Sequence, residues 1–133
     1  MHFRASFCDP FKPDVIELGE IEKDKIIELF ENTDWDGYSE KIKKNPTSAI
    51  HYSPSLEIEN KDNRNGICIS AIDETEFYIF FKRPKLRKYL FGFYNHMNTD
   101  YLTEIRDQTV EDVKECLIAL MNNDLDFLEN KIK

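Results

Sequence analysis

Two stretches decide the fold: Ala49-Ile50-His51-Tyr52-Ser53-Pro54-Ser55-Leu56-Glu57-Ile58-Glu59, and Phe77-Tyr78-Ile79-Phe80-Phe81-Lys82-Arg83-Pro84-Lys85-Leu86-Arg87-Lys88. In the first, Ile50, Tyr52, Leu56 and Ile58 alternate with His51, Ser53, Ser55, Glu57 and Glu59. That period of two predicts a half-buried strand with one wet face, and Pro54 suggests an edge position or a bulge. The polar run Asn60 to Gly66 reads as a hairpin loop. Ile67 to Ile72 is the next strand. After the turn at Asp73-Glu74-Thr75, Phe77–Phe81 is the most hydrophobic run in the chain, which predicts a central strand covered on both sides. Short loops between the three make an antiparallel meander.

The run Lys82-Arg83-Pro84-Lys85-Leu86-Arg87-Lys88 ends it with five cations and no acid. Pro84 can begin a helix. Leu86, Tyr89, Leu90 and Phe93 fall at i, i+3, i+4 and i+7, so the spacing favours a short helix closing near Gly92. A strand through Tyr89, Phe91 and Phe93 fits almost as well. Residues 95–100 read as a polar loop and Tyr101 to Arg106 as a last strand.

Upstream, residues 2–7 form a short edge strand, and Val15, Ile16 and Leu18 either add another small strand or pack as a loop. Helix one is expected from about Glu20 to Asn32. Glu20, Glu22 and Asp24 crowd its first turns, where the helix dipole favours them, and Ile26, Leu29 and Phe30 make its apolar stripe. Asn32 to Tyr38 reads as the helix end and a turn, followed by a brief helix over Glu40 to Lys44 that Ser39 caps. Near the C-terminus, Thr109 is an N-cap for a helix whose stripe is Val110, Val113, Leu117, Leu120 and Met121. Asp124 then caps a terminal helix carrying Leu125, Leu128 and Ile132. The whole is one α+β domain over residues 1–133: an antiparallel β-meander of three to five strands, with an N-terminal helix and C-terminal helices packed on the sheet.

The 133 residues carry a formal net charge of −8. Residues 9–36 hold ten acids and three lysines, and residues 98–133 hold nine acids and four bases. With +5 confined to 82–88, the rest of the chain sums to −13. Such a balance repels nucleic acid and anionic membranes at long range and attracts basic partners. Cys8, Cys68 and Cys116 are an odd number without a CxxC pair, which fits reduced thiols in a cytoplasmic protein. The N-terminus reads as free of a secretory signal, and no run nears the ~18 apolar residues of a membrane span.

The chain carries no catalytic signature. There is no GxSxG and no HExxH, and no row of glycines that could cradle a phosphate. Cys68 and His51 sit on neighbouring expected strands, but the plainer reading packs Cys68 and exposes His51. Glu57 and Glu59 read as solubility carboxylates. Asp34-Trp35-Asp36-Gly37 looks faintly like a calcium loop but lacks its third acid and the distant bidentate Glu. No metal and no cofactor is expected, and the chain reads as no enzyme.

Two patches remain. Asp34, Trp35, Asp36 and Tyr38 join the only Trp to a Tyr and two acids, a composition suited to holding a basic protein partner. The alternative places Trp35 in the core. The cations Lys82, Arg83, Lys85, Arg87 and Lys88 mix with aromatics as anion- or RNA-binding surfaces do. The competing account is that they neutralise acidic helices of the same chain, or of another copy in a homo-oligomer.

In size, acidity and strand-then-helix layout, the chain resembles the small bacterial immunity proteins that neutralise a cognate toxin. Its frequent Ile, Lys, Asn and Glu are similar to usage in an AT-rich bacterial genome. The resemblance implies a non-enzymatic protein-binding domain whose partner is a toxin, basic if that toxin is a nuclease. The other two readings are a module binding an anionic ligand or RNA through 82–88, and a small enzyme with a site near His51, Cys68 or Tyr78.

Overall fold

The computed structural model describes residues 2–73, 75–89 and 94–133, with the side chains of 86–89 and 94–100 outside the description. The chain runs β1 (Phe3–Cys8), β2 (Ile16–Ile21), α1 (Ile26–Asn32), α2 (Trp35–Lys44), β3 (Ser55–Asn60), β4 (Gly66–Ala71), β5 (Phe77–Tyr89), β6 (Tyr94–Gln108), α3 (Val110–Met121) and α4 (Leu125–Lys131). The strands form one sheet in the order β2-β1-β3-β4-β5-β6, with every pairing antiparallel. The fold is α+β as expected, with six strands among the described residues rather than three to five.

Alternation sorts the sheet into two faces. Phe3, Ala5 and Phe7, Leu56 and Ile58, Ile67 and Ile69, and Phe77, Ile79 and Phe81 are all buried on one of them. The register lines them up across the strands, for example Phe7 opposite Leu56 and Ile67 opposite Phe81. Ile26 and Phe30 of α1, Val113, Leu117 and Leu120 of α3, and Leu128 of α4 join the same core. Each of the larger of these side chains, Val, Leu, Ile or Phe, contributes roughly 1.5–3 kcal/mol through its removal from water. The opposite face carries Arg4, Ser6, Glu57, Glu59, Cys68, Tyr78, Phe80 and Lys82, none of them buried.

The two C-terminal helices open on the caps that the sequence places there. Thr109 and Asp112 make a reciprocal capping box on α3, and the Asp124 carboxylate accepts from the Phe127 N–H to open α4. Among the described residues, no helix is long and apolar enough to cross a membrane.

Several expectations are corrected. Residues 2–7 are no edge strand: β1 lies between β2 and β3, because its Phe3, Ala5 and Phe7 need neighbours on both sides. Helix one does not begin at Glu20. Pairing of Ile16 with Phe7 and Ile21 with Phe3 draws residues 16–21 into β2, and the α-helix starts at Ile26 after one 3-10 turn. Residues 35–44 are one helix, so Ser39 is a buried helical residue and not a cap. The strand expected from Ala49 begins only at Ser55. The ring of Pro54 cannot continue a ladder, and Thr47–Ala49 makes a 3-10 turn instead.

Phe77–Phe81 is internal but lies beside the edge strand, and the central pair is β3 and β4. It is covered on one side only: Tyr78 and Phe80 remain half-buried on the open face. The helix favoured over 85–93 is overturned for 85–89, which continue β5 and pair with 94–98. Pro84 is tolerated because it falls at a register shift, past the last β4 pairing at Lys82. Residues 90–93 lie outside the described residues. The loop expected at 95–100 is part of β6.

Candidate protein-binding site at the junction of helices one and two

Asn32-Thr33-Asp34 joins α1 to α2 through short-range bonds. Thr33 Oγ1 donates to the Leu29 carbonyl at 2.8 Å, closing the end of α1. The Asp34 carboxylate accepts from the Gly37 N–H at 3.0 Å, opening α2. This cap explains the glycine, because a β-carbon at position 37 would collide with the Asp34 carboxylate. Asp34 to Tyr38 is therefore a capped first helical turn, which also disposes of any likeness to a calcium loop.

The cap fixes where the aromatics point. Trp35 is 7% exposed, and its Nε1 donates to the Phe30 carbonyl at 3.0 Å. Its ring lies 5.4 Å from Phe77, 5.8 Å from Phe30 and 6.2 Å from Phe7. Trp35 is thus a core residue, and its reading as a protruding partner anchor is corrected. A buried indole has little left to offer a partner but an edge. Tyr38 is half-buried, 5.3 Å from Phe7, with its hydroxyl 3.5 Å from Asp9. Burial, and next the charge of Asp9, push the Tyr38 phenol above its ordinary value.

A groove opens on each side of this junction. The larger, about 640 Å³, has a floor of Trp35 and Phe77 and a rim that includes Glu31, Asp34, Asp36 and Lys114. Lys114 is paired with Glu31 at 3.3 Å. The Asp36 carboxylate is exposed and has no hydrogen bond or ion pair among the described residues. The smaller, about 370 Å³, has Ile16, Phe7 and Leu56 of the sheet beneath it, with Leu18, Thr33 and Tyr38 around them. The carboxylate rim suits the head group of a Lys or Arg. Glu31 and Lys114 were not expected as site residues. They lie on different helices and meet only through the α1–α3 packing, which no local pattern announces.

The basic run is largely consumed inside the chain. Lys82 lies 3.4 Å from Glu57 and 3.6 Å from Glu59 on the open face. Arg83 is 4% exposed and held by Glu129, and Lys85 lies 3.8 Å from the same carboxylate. Arg83 is therefore withdrawn from any ligand. The acids that neutralise the run come from β3 as well as α4, not from helices alone. The side chains of Arg87 and Lys88 are outside the description, and the register sets these residues opposite His96 and Asn95.

The remaining catalytic suggestion weakens. His51 is exposed, and its backbone N–H donates to the Pro10 carbonyl at 2.7 Å. Burial, and after it Glu57, push the Cys68 thiol up to about 12, the reverse of an activated nucleophile. Among the described residues, no group of three or more His, Cys, Asp or Glu is placed to hold a metal. No family model, curated protein or solved structure matches the chain.

Proposed function

We propose that this chain is a non-enzymatic binding domain of the immunity type, which neutralises a bacterial toxin by engaging a basic surface of it at the α1–α2 junction. The observation that carries the reading is a contrast of charge. Lys82, Arg83 and Lys85 are tied to carboxylates of the chain itself, whereas the exposed Asp36 carboxylate at the rim of the larger groove has no ion pair among the described residues. The surface left to a partner is strongly acidic, and such a surface speeds encounter with a basic protein and discriminates against acidic ones. A guanidinium or ammonium group entering the groove would meet Asp34 and Asp36 at the rim and the edge of Trp35 beneath.

The test is co-expression with the product of the adjacent gene. Protection of the cells, and a purified complex whose association slows with added salt, are the expected results. Asp36→Lys with Glu31→Lys should slow association by about tenfold or more while leaving the fold intact, because both side chains are exposed. Neither protection nor binding by that product would sink the reading. An anionic ligand or RNA at 82–88 has less behind it, since three of its five cations are already paired.

A further inference from the structure

The smaller groove borders β2, and β2 is an open edge of the sheet. Among the described residues, its backbone is hydrogen-bonded to β1 and to no other element. Edge strands usually carry charge or a bulge against unwanted pairing. Here Gly19, at φ 85°, makes such a bulge, and Leu18 is the extra residue that has no partner on β1. Yet Leu18 is 46% exposed and Val15 is 48% exposed, an apolar pair left in water at the edge.

We infer that β2 and the groove beside it form a β-augmentation site, which takes an extended, basic polypeptide segment carrying an apolar side chain. Three observations fix the occupant. First, the row Leu56–Phe7–Ile16 crosses β3, β1 and β2 on the helix-covered face and forms the groove floor. A strand added outside β2, about 4.8 Å further on, would set its residue opposite Ile16 at the mouth of that groove. Main-chain bonds would then supply affinity, and the seated side chain would supply selectivity. Second, residues 14–22 hold Asp14, Glu17, Glu20 and Glu22, all exposed, and no base. Among the described residues, only Glu17 of these is paired, with Arg4 at 3.1 Å. Third, the same charges disfavour a second copy of this chain, because edge-to-edge pairing of β2 with β2 would bring together four carboxylates, Glu17 and Glu20 of each copy. The segment must come from a basic partner.

The inference extends the proposed function by giving the partner's contact a backbone form. Asn32, Thr33 and Asp34 line both grooves, so a strand seated on β2 lies next to the acidic rim. Its test does not need the toxin. The probe is a fluorescein-labelled octapeptide of alternating lysine and valine, followed by anisotropy and by hydrogen exchange of the protein's amides. Three outcomes are expected: the peptide binds, exchange slows within residues 16–21, and an interior N-methylated version loses about tenfold or more in affinity with its main-chain donors. Leu18→Ser, at an exposed bulge position, should weaken binding without unfolding the chain. Any of three results would overturn the inference: the N-methylated peptide binding as well as its parent, protection falling on β6 or elsewhere instead of β2, or no binding at millimolar peptide. Loss of cell protection with peptide binding intact would instead count against the toxin reading alone.

Discussion

The Arg83 guanidinium and the Glu129 carboxylate meet two-pronged, Nε to Oε1 at 2.9 Å and Nη2 to Oε2 at 2.7 Å, and so fasten α4 to β5. The remaining Nη1 donates to the Phe81 carbonyl and to Thr103 Oγ1, and the cation lies 4.3 Å from the Phe81 ring and 4.7 Å from that of Tyr101. The two partners differ in exposure: the Arg83 side chain is 5% exposed and that of Glu129 39%. Removing Glu129 strands a buried charge, whereas removing Arg83 leaves a carboxylate that water can reach. Glu129→Ala should therefore cost about 1–3 kcal/mol, reduced from the buried-pair range by solvent screening. Arg83→Met should cost less. Urea denaturation of the two variants checks the order, and the reverse order would show that packing against Tyr101, not the ion pair, holds the helix.

Acid should loosen the same region. Arg83's hydrogen bonds hold the Glu129 carboxyl below its ordinary 4.5, and the Thr109 N–H holds that of Asp112 below its ordinary 3.8. For a carboxyl whose folded value is depressed, the stabilisation is full above the unfolded value. It is lost as pH falls through the folded one. The urea midpoint should thus hold steady from neutrality to about pH 5 and then fall. Glu129→Gln and Asp112→Asn should each lower the midpoint at neutral pH and flatten the fall.

The thiols should be sluggish. Cys68 is pushed up to about 12 and Cys116 to about 11, burial being the first cause in both. At mildly alkaline pH, iodoacetamide should label neither at the rate of a free thiol, and Cys116, fully buried, should react last. Mass spectrometry of the time course decides it. Fast alkylation of Cys68 would revive a nucleophile on the open sheet face.

Asp34 and Gly37 should be coupled. An alanine in place of a helical glycine ordinarily adds about 1 kcal/mol. Here its β-carbon would displace the Asp34 carboxylate and forfeit a cap of similar worth. Gly37→Ala should be close to neutral in the natural chain and stabilising by about 1 kcal/mol once Asp34→Ala has removed the cap. Simple additivity in this double-mutant cycle would mean that the Asp34 cap is not formed in solution.

The candidate site was legible in part. Asp34, Asp36 and Tyr38 stand out by composition, and Asp34 three residues before Gly37 is a capping pattern, which makes the segment a helix start and not a turn. Trp35 could not be placed from its neighbours. Whether an indole faces a partner or the core depends on Phe7, Phe30 and Phe77, which come from three different elements. The two grooves were illegible for the same reason. Each exists only where the α1–α2 junction crosses sheet residues far away in sequence.

The sequence by itself determined the two faces of β3 and the last two caps. Alternation in residues 55–59 sorted buried from wet side chains, and Thr109 and Asp124 started the last two helices, because these effects act within a few residues. Tertiary structure decided the rest. Glu20 lies in a strand and not a helix, because Ile16 and Ile21 pair with Phe7 and Phe3. Residues 85–89 extend β5, because 94–98 lie alongside to accept them. The five cations that broke the acidic pattern were resolved by position: a carboxylate of α4, 46 residues from Arg83, lies within hydrogen-bonding distance only in the folded chain. Local propensity is worth tenths of a kcal/mol per residue, and long-range pairing and burial outweigh it wherever the two disagree.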